Sequence, residues 1–135
     1  MNHCSKKLFI KQILLSLPGS IAECSIQGII VDIVDPNRVI LDDGTDVILV
    51  NLTLLQTTLK AYFDFTIGMY AFVAGRVKSE SNIFYILCDK LVNLSEEPNR
   101  ESLWNIEVVY AALTFYKKNM KKVLFSTGNI LATQF

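Results

Sequence analysis

The feature that most constrains this chain is an apolar helix near its C-terminal end. The segment Leu94–Val108 reads LSEEPNRESLWNIEV and places helix-start residues, among them Pro98 and Asn99, before a long apolar run. From Leu103 to Tyr116 the only charged residue is Glu107. A surface helix normally has one apolar stripe and one polar face, whereas this helix is apolar on more than one face. One face can cover its own domain, and another is expected to bind a partner, because large exposed apolar patches mark interaction sites.

The composition fits a single domain with a buried interface. The chain has 135 residues, of which 51% are hydrophobic and 19% charged, and a chain of this length can bury a core without disulfides or metals. It has no apolar run of about 18 residues, so a membrane span is not expected. Thirteen basic and thirteen acidic residues give zero formal net charge, with a pI near 6.6. Domains that bind nucleic acid on their own are usually basic, so direct DNA binding is disfavoured.

Residues that could carry chemistry are sparse. Cys4, Cys24 and Cys88 are widely spaced and fit free thiols in a reducing compartment rather than a zinc site. His3 is the only histidine, which leaves no partner for a histidine-based catalytic arrangement. The acidic run Asp42–Thr45 has no third ligand at the spacing of a calcium loop and fits turn chemistry. We therefore expect neither an enzyme nor a protein that holds a metal or cofactor.

The N-terminal residues allow two interpretations. Lys6 and Lys7 precede an apolar stretch and then Pro18–Ala22, which is the outline of a signal peptide. Lys11 and Gln12 interrupt that stretch, so we favour an N-terminal extension over residues 1–20 of a chain that stays inside the cell. A secreted β-barrel module is the alternative.

The middle of the chain predicts five strands. They are expected at Ser25–Val34, Arg38–Asp42, Asp46–Leu52, Ile67–Val77 and Ile83–Leu94, because β-branched and apolar residues are bounded there by turn residues. The dipeptide Asp43-Gly44 predicts a two-residue hairpin turn between the second and third strands.

The order of these elements predicts an all-β domain with a C-terminal helix. Thr53–Phe65 breaks the strand rhythm and predicts an irregular or helical connection. The helix is expected from about Asn99 to Asn119. An SH3-like barrel also has five strands, but the long connection between the third and fourth favours a five-stranded OB-fold Greek-key barrel. The OB-fold domain with its helix is expected over residues 21–122, and a tail over residues 123–135.

Two groups of side chains also allow a nucleic-acid role. Aromatic rings could stack bases, with Arg76, Lys78 and Lys90 supplying charge, although half-buried strand positions explain the same rings as core. The rings are Tyr62, Phe63, Phe65, Tyr70, Phe72, Phe84 and Tyr85. A lysine cluster at the helix end suits either the helix dipole or a phosphate backbone; its members are Lys117, Lys118, Lys121 and Lys122. The alternative function is thus a single-stranded-DNA-binding OB subunit of the replication protein A or telomere-end type.

Several segments resemble the RecQ-mediated genome instability protein 2 family, in the same order over about residues 7–116. The most specific is Arg100–Val108 (RESLWNIEV), which resembles the family's C-terminal signature after Lys90–Ser95 and Pro98. Four further matches are the Gln-Gly strand at Ile26–Gly28, the hairpin Arg38–Thr45, the strand Gly68–Tyr70 with Val73 and Gly75, and Lys7 with Gln12. The segment after about Lys117 departs from the family pattern.

The resemblance implies a non-catalytic subunit of a nuclear DNA-repair complex. Such a protein pairs through its C-terminal helix with the sister OB-fold subunit, RecQ-mediated genome instability protein 1. That pair joins topoisomerase III alpha and a RecQ helicase, supports double Holliday junction dissolution in homologous recombination, and binds DNA weakly.

The predicted partner interface combines the helix with one N-terminal lysine. Lys7 and Trp104 match family positions linked to partner contacts, although Trp104 on its own fits either a core anchor or an interface hot spot. The full set of predicted interface residues is Lys7, Leu103, Trp104, Ile106, Val108, Tyr110 and Leu113.

Overall fold

The computed structural model describes residues 6–55 and 65–126, and for residues 116–126 it describes the backbone. The strands are β1 (Lys6–Lys7), β2 (Glu23–Asp35), β3 (Arg38–Asp42), β4 (Val47–Asn51), β5 (Tyr70–Glu80) and β6 (Ile83–Asn93). The helices are α1 (Ile10–Leu14) and α2 (Arg100–Ser126).

Five of these strands close into a barrel. β2, β3 and β4 form an antiparallel meander, β4 pairs parallel with β6, and β6 pairs antiparallel with β5. β2 closes the barrel because its first half, residues 23–29, pairs with β5 while its second half pairs with β3. The predicted five-stranded OB-fold barrel with a C-terminal helix is therefore confirmed. β1 is an additional short strand that pairs parallel with β2.

Two of the hairpin turns differ in length and in what stabilises them. β5 and β6 are joined by Ser81 and Asn82, whose φ angles of 52° and 66° give the twist that a two-residue hairpin prefers. The turn predicted at Asp43-Gly44 is instead a four-residue loop, since β4 begins only at Val47. The side chain of Asp43 holds this longer loop, because one of its carboxylate oxygens accepts the backbone N–H of Thr45 at 2.9 Å.

The barrel interior follows the alternation of the strands, in which every second residue faces inward. The buried core includes Ile26, Ile30, Val39, Leu41, Ile48, Val50, Val73 and Ile86. Gly75 is required where β5 approaches β6, because a Cβ there would lie 2.3 Å from the carbonyl oxygen of Leu87. Close strand approach at this point lets the small barrel close.

The segment predicted as an N-terminal extension contributes to the core. Ile10 and Ile13 of α1 are fully buried and belong to the same apolar cluster as the barrel interior. The N–H of Ile10 donates to the carboxylate of Asp43 at 2.7 Å, and the N–H of Lys11 donates to the hydroxyl of Thr45 at 3.2 Å. The β3–β4 loop therefore caps the first turn of α1.

Helix α2 extends beyond its predicted end. It begins at Arg100, next to the predicted start, but continues to Ser126 rather than ending near Asn119. Part of the predicted tail is thus helical, and residues 127–135 lie outside the described residues. Residues 53–55 of the predicted connection are helical, and residues 56–64 are not described. Within the described parts of the chain, the helices are too short or too polar to cross a membrane.

Candidate partner interface

The inner face of α2 attaches the helix to its own barrel. Trp104 and Val108 lie one turn apart and are only 2% and 1% exposed. The Trp104 ring packs edge-to-face on Phe72 of β5, with ring centroids 6.0 Å apart and planes at 89°. Aromatic pairs favour this geometry because the positive ring edge meets the negative ring face. These contacts fix the position of α2 on the barrel.

β1 reinforces this attachment from the side. The Nζ of Lys7 lies 3.0 Å from a carboxylate oxygen of Glu107 and 5.9 Å from the centroid of the Trp104 ring. The Nζ of Lys6 lies 4.8 Å from the centroid of the Phe115 ring. Exposed ion pairs contribute little energy, so the main effect of these contacts is to orient the helix against β1.

Among the described side chains of α2, five apolar ones on the side away from the barrel remain exposed, and we call them the outer stripe: Leu103, Ile106, Val109, Tyr110 and Leu113. Their exposed fractions run from 47% at Leu103 to 72% at Tyr110. Successive members are mostly three or four residues apart and therefore lie on one side of the helix. At about 100° per residue, this side is centred opposite Trp104 and Val108. The barrel therefore cannot cover the outer stripe.

The structure separates the predicted interface residues into two groups. Leu103, Ile106, Tyr110 and Leu113 all belong to the outer stripe. Trp104 and Val108 are buried within the chain itself, so they support the stripe from beneath rather than present a free surface. Lys7 lies with this supporting group, because it contacts Glu107 and Trp104.

Two large exposed apolar residues among the described side chains of α2 were missing from the predicted set. Val109 is 50% exposed and Phe115 is 55% exposed. Helical periodicity could have identified Val109, which follows Ile106 by three residues. Phe115 lies on the inner face of α2 beyond Val108, where its contact with Lys6 joins residues far apart in sequence.

Among the described residues considered for base stacking, four aromatic side chains have partners inside the chain. Phe72 packs on Trp104, while Phe65 and Phe84 pack against the barrel core. The hydroxyl of Tyr70 donates to the side-chain oxygen of Gln27 at 3.1 Å, and burial raises the pKa of Tyr70 to about 12. The predicted rings Tyr62 and Phe63, and the side chains of the lysine cluster at residues 117–122, lie outside the described residues.

The described residues considered for catalysis or metal binding either stabilise the fold or are buried in the core. Asp43 uses both carboxylate oxygens to hold α1 and its own loop. Burial raises the pKa of the Cys24 and Cys88 thiols to about 12, which keeps both neutral and weakly nucleophilic. Among residues 6–55 and 65–126 we find no group of histidine, cysteine and acidic side chains that could hold a metal ion.

A closed five-stranded barrel and a docked C-terminal helix define a protein of the OB-fold class. Comparison with known families gives a more specific result. The chain belongs to the RecQ-mediated genome instability protein 2 family, whose pattern matches residues 6–112. The resemblance carried by the sequence motifs is thus confirmed. No curated protein matches the chain.

Several solved structures have a similar fold. A Stn1–Ten1 complex from S. pombe has a chain that aligns with a TM-score of 0.62 and 19% identity, over 87% of this chain and 94% of that one. A chain of a replication protein A heterotrimer bound to single-stranded DNA aligns with a TM-score of 0.64 and 18% identity. The alignment covers 81% of this chain and 95% of that one. The telomere capping protein Ten1 from Saccharomyces pombe aligns with a TM-score of 0.57 and 17% identity. The alignment covers 78% of this chain and 96% of that one. At these identities the likeness establishes the fold.

Proposed function

We propose that this chain is the non-catalytic OB-fold subunit of a heterodimer that acts in a nuclear RecQ helicase–topoisomerase III complex. Its direct partner is the sister OB-fold subunit, RecQ-mediated genome instability protein 1. Through that partner it supports topoisomerase III alpha and a RecQ helicase in double Holliday junction dissolution, homologous recombination and DNA repair. Membership of the family supports the assembly, and the outer stripe supports the mode of pairing.

The outer stripe is the observation that carries this proposal. It is a continuous apolar surface on a helix whose opposite side is already docked, so it is presented without any need for the helix to move. Fully burying a large apolar side chain is worth about 1.5–3 kcal/mol. Covering five half-exposed side chains therefore contributes on the order of 5–8 kcal/mol before the costs of association are subtracted. The partner's matching surface would contribute a similar amount, and together the two gains exceed the lower estimates, about 4 kcal/mol, of the cost of association.

The alternative of a single-stranded-DNA-binding subunit has weaker support. OB-folds bind oligonucleotides with the loops that join their first to second and fourth to fifth strands. Here those connections are only Pro36–Asn37 and Ser81–Asn82. Three acids, Asp32, Asp35 and Asp46, lie on or beside the first three barrel strands and disfavour a phosphate backbone.

A pair of adjacent substitutions tests the proposal. Leu113→Glu places a charge in the outer stripe, whereas Ala112→Glu places the same charge one residue earlier, outside it. A charge buried without a partner is costly, so Leu113→Glu is expected to weaken binding of the sister subunit at least about 100-fold. Ala112→Glu should leave it nearly unchanged. The measurement is co-purification from cells followed by titration of the purified pair; equal binding by both variants would exclude the outer stripe.

A further inference from the structure

A second surface of α2 remains uncovered on the side that faces the barrel. Beyond Val108 the inner face of the helix continues into Ala111, Ala112 and Phe115. Together with β1 and Leu8 these residues line a groove of about 370 Å³. We call this space the β1 groove. Phe115 is 55% exposed beside it, although the Lys6 ammonium lies over its ring.

One wall of the β1 groove is the edge of a sheet. In the parallel pairing of β1 with β2, the N–H of Leu8 donates to the carbonyl of Ser25 at 3.0 Å. Because backbone groups of successive residues alternate in direction along a strand, the N–H and C=O of Lys7 point away from β2. In the described parts of the chain, β2 is the only strand that pairs with β1. This edge can therefore accept another strand.

The charge around the β1 groove selects the occupant. Its lining includes Lys6 and Lys7 and no acidic residue among the described side chains. Glu107 of α2 forms an ion pair with Lys7, so the positive charge available to a ligand is mainly that of Lys6. The groove thus combines an apolar floor, backbone groups of Lys7 that point away from β2 and the positive charge of Lys6.

We propose that the β1 groove docks an extended acidic peptide segment of a partner protein, which adds to β1 as a strand. Backbone hydrogen bonds to Lys7 hold the peptide, and alternate apolar side chains contact Ala112 and Phe115. The flexible Lys6 side chain leaves the Phe115 ring and pairs with an acidic residue of the peptide. The outer stripe lies on the other side of α2, so this site can be occupied while the sister subunit is bound.

A synthetic peptide of alternating aspartate and leucine, six residues long and labelled with fluorescein, tests this site on the full chain by fluorescence anisotropy. Saturable binding is expected. N-methylation of the peptide's central leucine should weaken it about tenfold or more by removing a strand hydrogen bond. Replacing the aspartates by lysines should weaken it by a similar factor, since Lys6 would then repel the peptide.

The same two variants separate this site from the partner interface. Ala112→Glu should weaken peptide binding about tenfold or more, whereas Leu113→Glu should change it by less than about twofold. Circular dichroism checks that both variants are folded, and Ala112 is exposed, so the charge is tolerated. Absence of saturable binding, equal binding of the lysine or N-methylated peptide, or an unaffected Ala112→Glu variant would each overturn the proposal. None of these results bears on the outer stripe.

Discussion

Replacing Trp104 by alanine distinguishes a buried anchor from a residue that touches the partner directly. The side chain is 2% exposed and packs against Phe72, so its removal leaves a cavity between α2 and β5. Truncation of a buried tryptophan costs about 3–5 kcal/mol. A domain of this size has only about 5–15 kcal/mol of total stability, and the cavity lies at the joint between helix and barrel. We therefore expect α2 to detach locally before the barrel unfolds.

Hydrogen–deuterium exchange of the isolated chain measures this detachment. A loss of 3–5 kcal/mol should lower the protection of the α2 amides by about 100-fold or more, with a smaller change in β2 to β6. Urea unfolding followed by far-ultraviolet circular dichroism gives the global free energy. Fluorescence cannot serve here, because Trp104 is the only tryptophan.

Ile106→Ala is the matched control for this experiment. Ile106 is 66% exposed in the free chain, so its truncation should change stability by less than about 0.5 kcal/mol. It should weaken partner binding about 5–30-fold, as two-thirds of a full isoleucine burial is lost. The reasoning is refuted if Trp104→Ala keeps α2 protected and the chain stable while partner binding falls, because Trp104 would then contact the partner.

Three further predictions concern the barrel. Asp43→Ala removes the acceptor for the N–H of Ile10. It is expected to lower the free energy of unfolding by about 2–3 kcal/mol and to speed hydrogen exchange in α1. A change below about 0.5 kcal/mol in urea unfolding would contradict this. Gly75→Ala adds a Cβ 2.3 Å from a carbonyl oxygen of β6, so a loss of at least about 2 kcal/mol is expected in the same assay, and wild-type stability would disprove the close approach. Burial raises the pKa of the Cys24 and Cys88 thiols to about 12 from an ordinary value near 9. Their contribution to the free energy of unfolding is therefore fully present below about pH 9 and is lost as the pH rises towards 12. Urea unfolding at stepped pH should show this decline, and a flat profile up to about pH 11 would be inconsistent with it.

Much of the barrel could be predicted from local pattern. The strand β3 has the predicted bounds Arg38–Asp42, and β6 ends one residue before its predicted end at Leu94. The alternation of apolar and polar residues and the flanking turn residues predict such strands, because both signals lie within a few residues of each other in the sequence. The predicted two-residue turn at Asp43-Gly44 was wrong in length, since the Asp43 side chain stabilises a four-residue loop.

The parts that could not be predicted depend on contacts between distant residues. The role of Asp43 in capping α1 joins positions 33 residues apart. The apolar pattern of α2 indicated two faces, but it could not show that Trp104 faces the barrel, because that depends on the position of Phe72. The sequence therefore shows the outer stripe only as an excess of apolar residues in α2. Which of these residues remain exposed depends on how the helix docks on the barrel.

Photo-cross-linking from the outer stripe tests the proposed pairing most directly. Tyr110 is 72% exposed, so its replacement by p-benzoylphenylalanine should leave the fold intact and place the reactive group on the partner-binding surface. Irradiation of the assembled pair is expected to join position 110 covalently to the sister OB-fold subunit, as identified by mass spectrometry. An intact pair that forms no cross-link from position 110, but does form one from Ile83 on the β5–β6 hairpin, would contradict a partner bound to α2.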